Sequence, residues 1–340
     1  MVITSTLDKP RLHWVDAAKG LLIVLVAMVH TISRAEELGI ACPAIGVIVI
    51  ISGIFCFRMP AFFILAGFWG KYDMSFKDFL IRNAKGLLLP LLIFSYLGGA
   101  FHEIFYEILK RTYNAGALEG PFLDISLDYW FVLALFLAKC VYWVVCRISS
   151  KQIIKLLICI GIYALGVMSL NAWFLPNFAC WKWALIMLVY LPIGQWVKDN
   201  LSGWIAFAIA LAIFVAGYSF YRWQGTFIPI PGGGMKYINW MSALPSLLLC
   251  TAGSLVFLKL CSLIKRARVL EMIGRNTLAI YVMHWWIEIL VMKVLRGFFA
   301  QGVWISTVAI IVTIAVAVLV PCMISELLNR PKLKWILGKH

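Results

Sequence analysis

The first apolar segment of the chain contains three ionisable residues whose spacing places them on one side of a helix. Asp16, Lys19 and His30 lie within a largely aliphatic run. At about 100° per residue they fall within roughly 60° of each other, and the rise from Lys19 to His30 is about 16 Å. Ionisable groups inside a membrane usually face a polar cavity, so this stripe predicts a path ending at a reactive imidazole. The alternatives are an interfacial salt bridge between Asp16 and Lys19, with Lys19 snorkelling, and a His30 that only caps the helix.

A guanidinium in the second apolar segment is a further candidate. Arg58 stands two residues before Pro60. A proline inside a helix removes a backbone donor and leaves the carbonyl four residues earlier unpaired, and a membrane tolerates this only where protein or water satisfies the backbone. Arg58 is therefore either a structural residue that binds a carboxylate and freed carbonyls, or a catalytic or ligand-binding residue.

A late apolar segment carries a histidine and a carboxylate one helical turn apart. His284 and Glu288 share a helix face, where the carboxylate can fix the tautomer of the imidazole or raise its pKa. The alternative is a buried hydrogen bond that stabilises the helix bundle. The wider set of candidates for a substrate pocket adds two residues of the same segment and two tryptophans beside a Pro/Gly-rich loop: Asn276, Tyr281, Trp223 and Trp240. For the tryptophans, the alternative is the aromatic belt of a membrane interface.

The elements that position these residues are membrane spans. The 340 residues are 63% hydrophobic and 13% charged, with a mean hydropathy of +0.95, which excludes a water-soluble globule. Hydropathy predicts an all-α polytopic protein with about ten transmembrane helices, flanked by short cytoplasmic tails, 1–13 and 326–340. The predicted spans are 14–33, 43–70, 80–102, 128–147, 152–171, 181–197, 203–222, 242–264, 272–294 and 302–325.

The charge distribution orients the chain. The net charge of +15 would suggest nucleic acid in a soluble protein, but here the basic residues concentrate in the loops of one face, which places both termini in the cytoplasm. Lys139 and Glu326, near the ends of their spans, are expected to snorkel. The nine cysteines have no metal-ligand spacing and are interpreted as buried small hydrophobes, so no metal is expected.

Four stretches in order resemble acyltransferase family 3, the membrane O-acetylases that include fucose O-acetylase-like proteins. They are WVDAAKG with the spacing from Lys19 to His30, FRMPAFFILAGF, the segment from Arg82 to Pro90, and GRNTLAIYVMH, covering about Trp14 to His284. Many members have Arg where Lys19 stands and often His where Arg58 stands. Lysine keeps the charge but loses the bidentate fork of arginine.

The resemblance implies a single transmembrane acyltransferase domain over 1–340, in the cell inner membrane. It would move an acyl group, most often acetyl, from cytoplasmic acetyl-CoA to a hydroxyl of a cell-surface or lipid-linked glycan. His30 would be the base, with Lys19, Asp16 and Arg58 as its partners. Six cations on the cytoplasmic side offer contacts to the phosphates of CoA: Lys77, Arg82, Lys85, Arg266, Arg268 and Arg275.

A multi-span transporter or flippase for a sugar or an anionic small molecule is the alternative, because carriers also have broken helices and intramembrane charges. Transporters commonly contain repeats with paired Gly/Pro-broken spans, and this sequence shows no such pairing. A noncatalytic sensor is a third hypothesis. The sequence does not determine the acceptor or the side of the membrane on which it is modified. It also leaves open whether the acyl group is strictly acetyl, whether transfer passes through an acyl-enzyme intermediate, and whether the protein is a homodimer.

Overall fold

The computed structural model describes residues 12–40, 42–44, 53–97, 129–171, 180–201, 203–224 and 238–338. Within these ranges the chain is helical and contains no strand. The chain also contains a π-helical turn, Ala84–Leu88, and a 3₁₀ turn, Lys334–Leu337. The helices are α1 (His13–Glu37), α2 (Arg58–Phe68), α3 (Phe76–Leu97), α4 (Trp130–Ile148), α5 (Gln152–Asn171), α6 (Trp181–Met187), α7 (Tyr190–Asn200), α8 (Trp204–Trp223), α9 (Trp240–Ser262), α10 (Arg268–Arg275), α11 (Thr277–Val294), α12 (Arg296–Phe299) and α13 (Val303–Leu328).

Eight of the helices in the described ranges are long and apolar enough to cross a membrane: α1, α3, α4, α5, α8, α9, α11 and α13. Their bounds follow the hydropathy prediction closely, and the all-α membrane architecture is confirmed. The second predicted span, 43–70, contributes α2 and the helical residues 53–54, and part of it lies outside the described residues. The sixth, 181–197, is two short helices, α6 and α7. The count of ten and the cytoplasmic termini stay predictions.

The ninth predicted span, 272–294, is wrong as one continuous helix. It is divided into α10 and α11 at Asn276, whose backbone (φ −108°, ψ 15°) leaves the helical conformation. The buried Asn276 side chain donates to the Met272 carbonyl (3.0 Å) and to Glu326 Oε1 (3.2 Å), and it accepts from the Ser325 hydroxyl (2.6 Å). These bonds fix the junction of α10 and α11 against α13.

The second apolar segment is interrupted just before Pro60, as predicted: residues 53–54 are helical, and a turn at 55–57 separates them from α2. The α2 helix begins at Arg58, so Pro60 lies in its first turn, where a backbone N–H has no intrahelical partner. The carbonyls before it meet groups of α9: the Cys250 thiol lies 3.9 Å from the Cys56 carbonyl, and the Ser254 hydroxyl lies 3.5 Å from that of Phe57. Side chains of α9 therefore cover the start of α2.

The α1 helix is central, because it packs against α2, α9, α10, α11 and α13. It crosses α10 at Gly20 and Gly274, where a Cβ on Gly274 would collide with the carbonyl of Asp16, and one on Gly20 with that of Leu270. Glycine is required there because the two backbones touch. This contact holds the Asp16 end of α1 against the junction that begins α11.

Candidate functional site

A cavity of about 330 Å³ lies between α1, α2, α3, α4 and α11. Most of its wall is apolar and aromatic, which is usual for a small-molecule site. Four cationic side chains also line it: Lys19, Lys71, Arg82 and Lys139. Lys19 is in the second turn of α1, Lys71 follows α2, and Arg82 is in the first half of α3. The rings of Trp14 and Phe68, 5.8 Å apart, bring the start of α1 to the end of α2, so the cavity has a basic end on that side.

One face of α1 runs from the cavity to His30. Lys19, Ile23 and Val26 line the cavity, and His30 stands four residues after Val26, so it lies on the same face. Asp16 is buried and its carboxylate is 3.7 Å from the Lys19 ammonium. The structure therefore contains the interfacial pair that the sequence analysis named as the alternative, and it also turns Lys19 towards the cavity.

His30 meets His284 of α11 across the α1–α11 contact. The centroids of the two rings are 5.2 Å apart and their planes are inclined by 62°. His284 is buried and His30 is partly exposed. Tyr281, which lines the cavity, has its ring centroid 6.2 Å from that of His284. The histidine pair therefore lies beside the cavity wall. Tyr281 connects the wall to His284, and Val26 lies one turn before His30 on the same face of α1.

A carbonyl fixes the tautomer of His284. Its Nδ1 is 2.9 Å from the Ile280 carbonyl oxygen, and because a carbonyl only accepts, Nδ1 carries the proton. The Glu288 carboxylate, one turn further, is fully buried and does not bond the His284 ring. The sequence hypothesis that Glu288 fixes this imidazole is wrong, since the backbone of α11 itself provides the acceptor.

Two arginines surround the histidine pair. Arg58 of α2 is buried, and its guanidinium donates to the Phe55 carbonyl (3.4 Å). Arg34 of α1 lies over the ring of Trp285, the residue after His284, at 4.2 Å. The sequence analysis missed Arg34, although its position four residues after His30 places it on the same face of α1.

Lys139 faces the cavity, so the expectation that it snorkels is wrong. It lies in the middle of α4 and donates to the Asn83 side-chain oxygen (3.2 Å), while Asn83 donates to the Phe79 carbonyl (2.8 Å). Asn83 is the last residue before the π turn of α3. Glu326, also expected to snorkel, is exposed and accepts a hydrogen bond from the Asn276 amide.

A tyrosine also lines the cavity. Tyr72 is buried, lines the cavity, and has no hydrogen-bond partner for its hydroxyl among the described residues. Burial raises the pKa of Tyr72, so its hydroxyl stays protonated and can donate. The sequence offered no signal for it beyond its place in a basic loop.

Of the six cations predicted for CoA phosphates, only Arg82 lines the cavity. The other five are exposed and lie outside its lining: Lys77, Lys85, Arg266, Arg268 and Arg275. Among the predicted pocket residues, Tyr281 lines the cavity and His284 meets His30, but Asn276 belongs to the α10–α11 junction. Trp223 and Trp240 are 83% and 56% exposed and do not line the cavity.

Hydroxyl and indole groups connect the first half of α11 to the start of α4. The Tyr129 hydroxyl donates to the Val282 carbonyl (3.2 Å) and accepts from the Trp286 indole (3.2 Å). The Tyr281 hydroxyl accepts from the backbone N–H of Phe131 (3.3 Å). These bonds fix the orientation of α11, and hence of His284, relative to the cavity.

Comparison with known proteins identifies the family of the chain. A family model described as an acyltransferase domain, that of acyltransferase family 3, matches residues 12–323. Neither the curated proteins nor the solved structures contain a match to the chain. The match covers nearly the whole sequence, including all the helices that form the cavity and the histidine pair. The chain therefore belongs to acyltransferase family 3 and is a multi-pass membrane acyltransferase.

Proposed function

We propose that the protein transfers an acetyl group from cytoplasmic acetyl-CoA to a hydroxyl of a cell-surface or lipid-linked glycan, in the cell inner membrane. The observation that carries this proposal is the cavity with a basic end on one side and the His30–His284 pair beside its inner wall. An anionic nucleotide thioester needs cations for its phosphates, an apolar path for its arm, and a base near its carbonyl.

The basic end suits the donor. Lys19, Lys71, Arg82 and Lys139 supply positive charge for phosphate oxygens, and the Tyr72 hydroxyl supplies a neutral donor. Aromatic and aliphatic side chains then line the way towards His30. The rise from Lys19 to His30, about 16 Å along α1, is on the order of the length of a pantetheine arm. The nucleotide can therefore stay at the membrane surface while the thioester reaches the histidine pair.

The chemistry is a direct acyl transfer with one base. The nitrogen of His30 takes the proton of the acceptor hydroxyl as the oxygen forms a bond to the thioester carbon. The carbon–sulfur bond then breaks, and the leaving thiolate takes the proton from His30. The products are an O-acetyl ester and CoA with a free thiol, so no further reactant is needed.

Positive charge beside the reacting carbon would stabilise the oxyanion that forms there. Arg58 is buried on α2, which packs against the helix of His30, and a buried charge acts more strongly than one in water. Lys19, paired with Asp16, is about 16 Å away along α1 and is better placed for the donor phosphates. We therefore assign the electrostatic role to Arg58 and donor binding to Lys19.

The test uses purified protein in detergent with radiolabelled acetyl-CoA and a lipid-linked glycan extract as acceptor. We expect His30→Ala to abolish transfer of the label while the protein stays folded. His13→Gln, also on α1 but at its exposed end and outside the cavity lining, is the matched control and should retain activity. Undiminished O-acetylation by His30→Ala would refute the mechanism. A wild-type protein that neither binds acetyl-CoA nor transfers its label would favour the transporter.

A further inference from the structure

The Nε2 atom of His284 is a buried hydrogen-bond acceptor without a donor. Since Nδ1 donates to the Ile280 carbonyl, the neutral ring has only a lone pair at Nε2. This atom is buried and has no partner among the described residues. Buried polar atoms in folded proteins are nearly always hydrogen-bonded, and an exception calls for an explanation.

His30 is the neighbour that can supply the donor. With 5.2 Å between the ring centroids, nitrogens on the facing edges of two imidazoles can approach to about 3 Å, the length of a hydrogen bond. The second side-chain torsion of histidine is soft, and His30 is partly exposed by surface area. A rotation of the His30 ring can therefore bring one of its N–H groups to the Nε2 of His284.

We propose that His284 is the positioning residue of the reaction: its Nε2 accepts a hydrogen bond from His30 and so turns the other, unprotonated nitrogen of His30 towards the acceptor hydroxyl. This proposal rests on the proposed function, in which His30 is the base. His284 touches neither the hydroxyl nor the thioester, and it acts through His30 alone.

The arrangement has the logic of a base oriented by a third group. When His30 takes the proton of the hydroxyl, it becomes an imidazolium, and its N–H bond to a lone pair becomes charge-assisted and stronger. Because the proton of His284 is on Nδ1, bonded to the Ile280 carbonyl, its Nε2 carries no N–H that would repel the N–H of His30. The backbone of α11 thus selects the tautomer that the base requires.

Three substitutions of His284 separate this role from simple packing. His284→Gln places an amide oxygen near the position of Nε2 and keeps the acceptor. His284→Asn reaches only the position of Nδ1, so it can still bond the Ile280 carbonyl but lacks the acceptor. His284→Phe keeps a ring and lacks both groups.

We expect His284→Phe and His284→Asn to lower kcat by about 10- to 100-fold, the scale of one hydrogen bond to a charged imidazolium, with the KM for acetyl-CoA unchanged. His284→Gln should be about tenfold more active than His284→Phe, which is the worth of one hydrogen bond. Each purified variant is compared by its thermal unfolding temperature. An active His284→Asn, or a His284→Gln no better than His284→Phe, would overturn the proposal.

A second measurement does not depend on activity. Imidazole nitrogens of ¹⁵N-histidine-labelled wild-type protein are observed by NMR, and the His284 signals are assigned by their loss in His284→Gln. We expect a protonated Nδ1 and an unprotonated Nε2, and we expect His30→Ala to shift the Nε2 signal. A proton on Nε2, or no shift, would contradict the positioning role. A failure of the wild type to transfer acetyl would instead contradict the proposed function and leave this result to stand by itself.

Discussion

Replacement of Lys139 by methionine tests whether the cavity binds the CoA donor. Lys139 lies at the middle of α4, lines the cavity and is held by Asn83 at 3.2 Å. Methionine is a similarly long, unbranched side chain without the charge. We expect Lys139→Met to weaken binding of acetyl-CoA, because a phosphate or amide oxygen of the donor loses an ammonium that is already oriented.

The size of the effect follows from the kind of contact. A hydrogen bond to a charged group contributes about 1.5–3 kcal/mol, and each 1.4 kcal/mol changes a dissociation constant about tenfold. The Kd for acetyl-CoA should therefore rise by about 10- to 150-fold. Lys77, which is exposed on α3 and outside the cavity lining, offers at most a surface interaction, so Lys77→Met should change Kd by less than about fivefold.

The Kd is measured by titration calorimetry on purified protein in detergent, for the wild type, Lys139→Met, Lys77→Met and Lys139→Arg. The arginine variant keeps the charge and should recover part of the affinity. Thermal unfolding of each variant shows whether the loss of a donor to Asn83 has only destabilised the fold. A wild-type Kd for Lys139→Met, with weakened binding in Lys77→Met, would refute the assignment of the donor to this cavity.

Two further predictions concern the contact of α1 with α10. Gly274→Ala should lower the unfolding temperature, since its Cβ would collide with the Asp16 carbonyl and overpacking costs about 1–3 kcal/mol; Gly297→Ala, with open space around its Cβ, should not. The Glu271 carboxylate accepts from the Ala267 N–H and bonds His13 (2.8 Å), which hold its pKa below the ordinary 4.5. A carboxylate whose pKa is lowered by folding stabilises the fold at pH values above its ordinary pKa. This stabilisation is lost as the pH falls through the pKa of the folded state. Glu271→Gln should therefore unfold at a lower temperature than the wild type near pH 7, with the difference shrinking in acid; an equal gap at all pH values would contradict this.

The sequence was sufficient for features that lie along one helix. Hydropathy located most of the spans to within a few residues, because the cost of exposing polar backbone and side chains to lipid acts on each segment separately. The same one-helix reasoning related Lys19 to His30, since helical periodicity alone fixes which residues share a face. The motifs in their order also indicated the family.

Local patterns did not show which neighbouring helix decides the outcome. Pro60 indicated a break in the second apolar segment, but only the structure shows that side chains of α9 cover the carbonyls before it. The ninth span looked continuous, but Asn276 bonds to α13 and divides it. In each case the deciding partner is distant in sequence, and no local pattern encodes it.

Only the tertiary structure decided which charges share a site. Lys139 and Arg82 line the cavity, whereas Lys77 is exposed and lies outside the lining. The sequence by itself determined a membrane acyltransferase fold with a histidine on the inner face of its first helix. The packing of α1 against α11 determined that this histidine meets His284, because a contact between helices over 250 residues apart depends on how all the intervening helices pack.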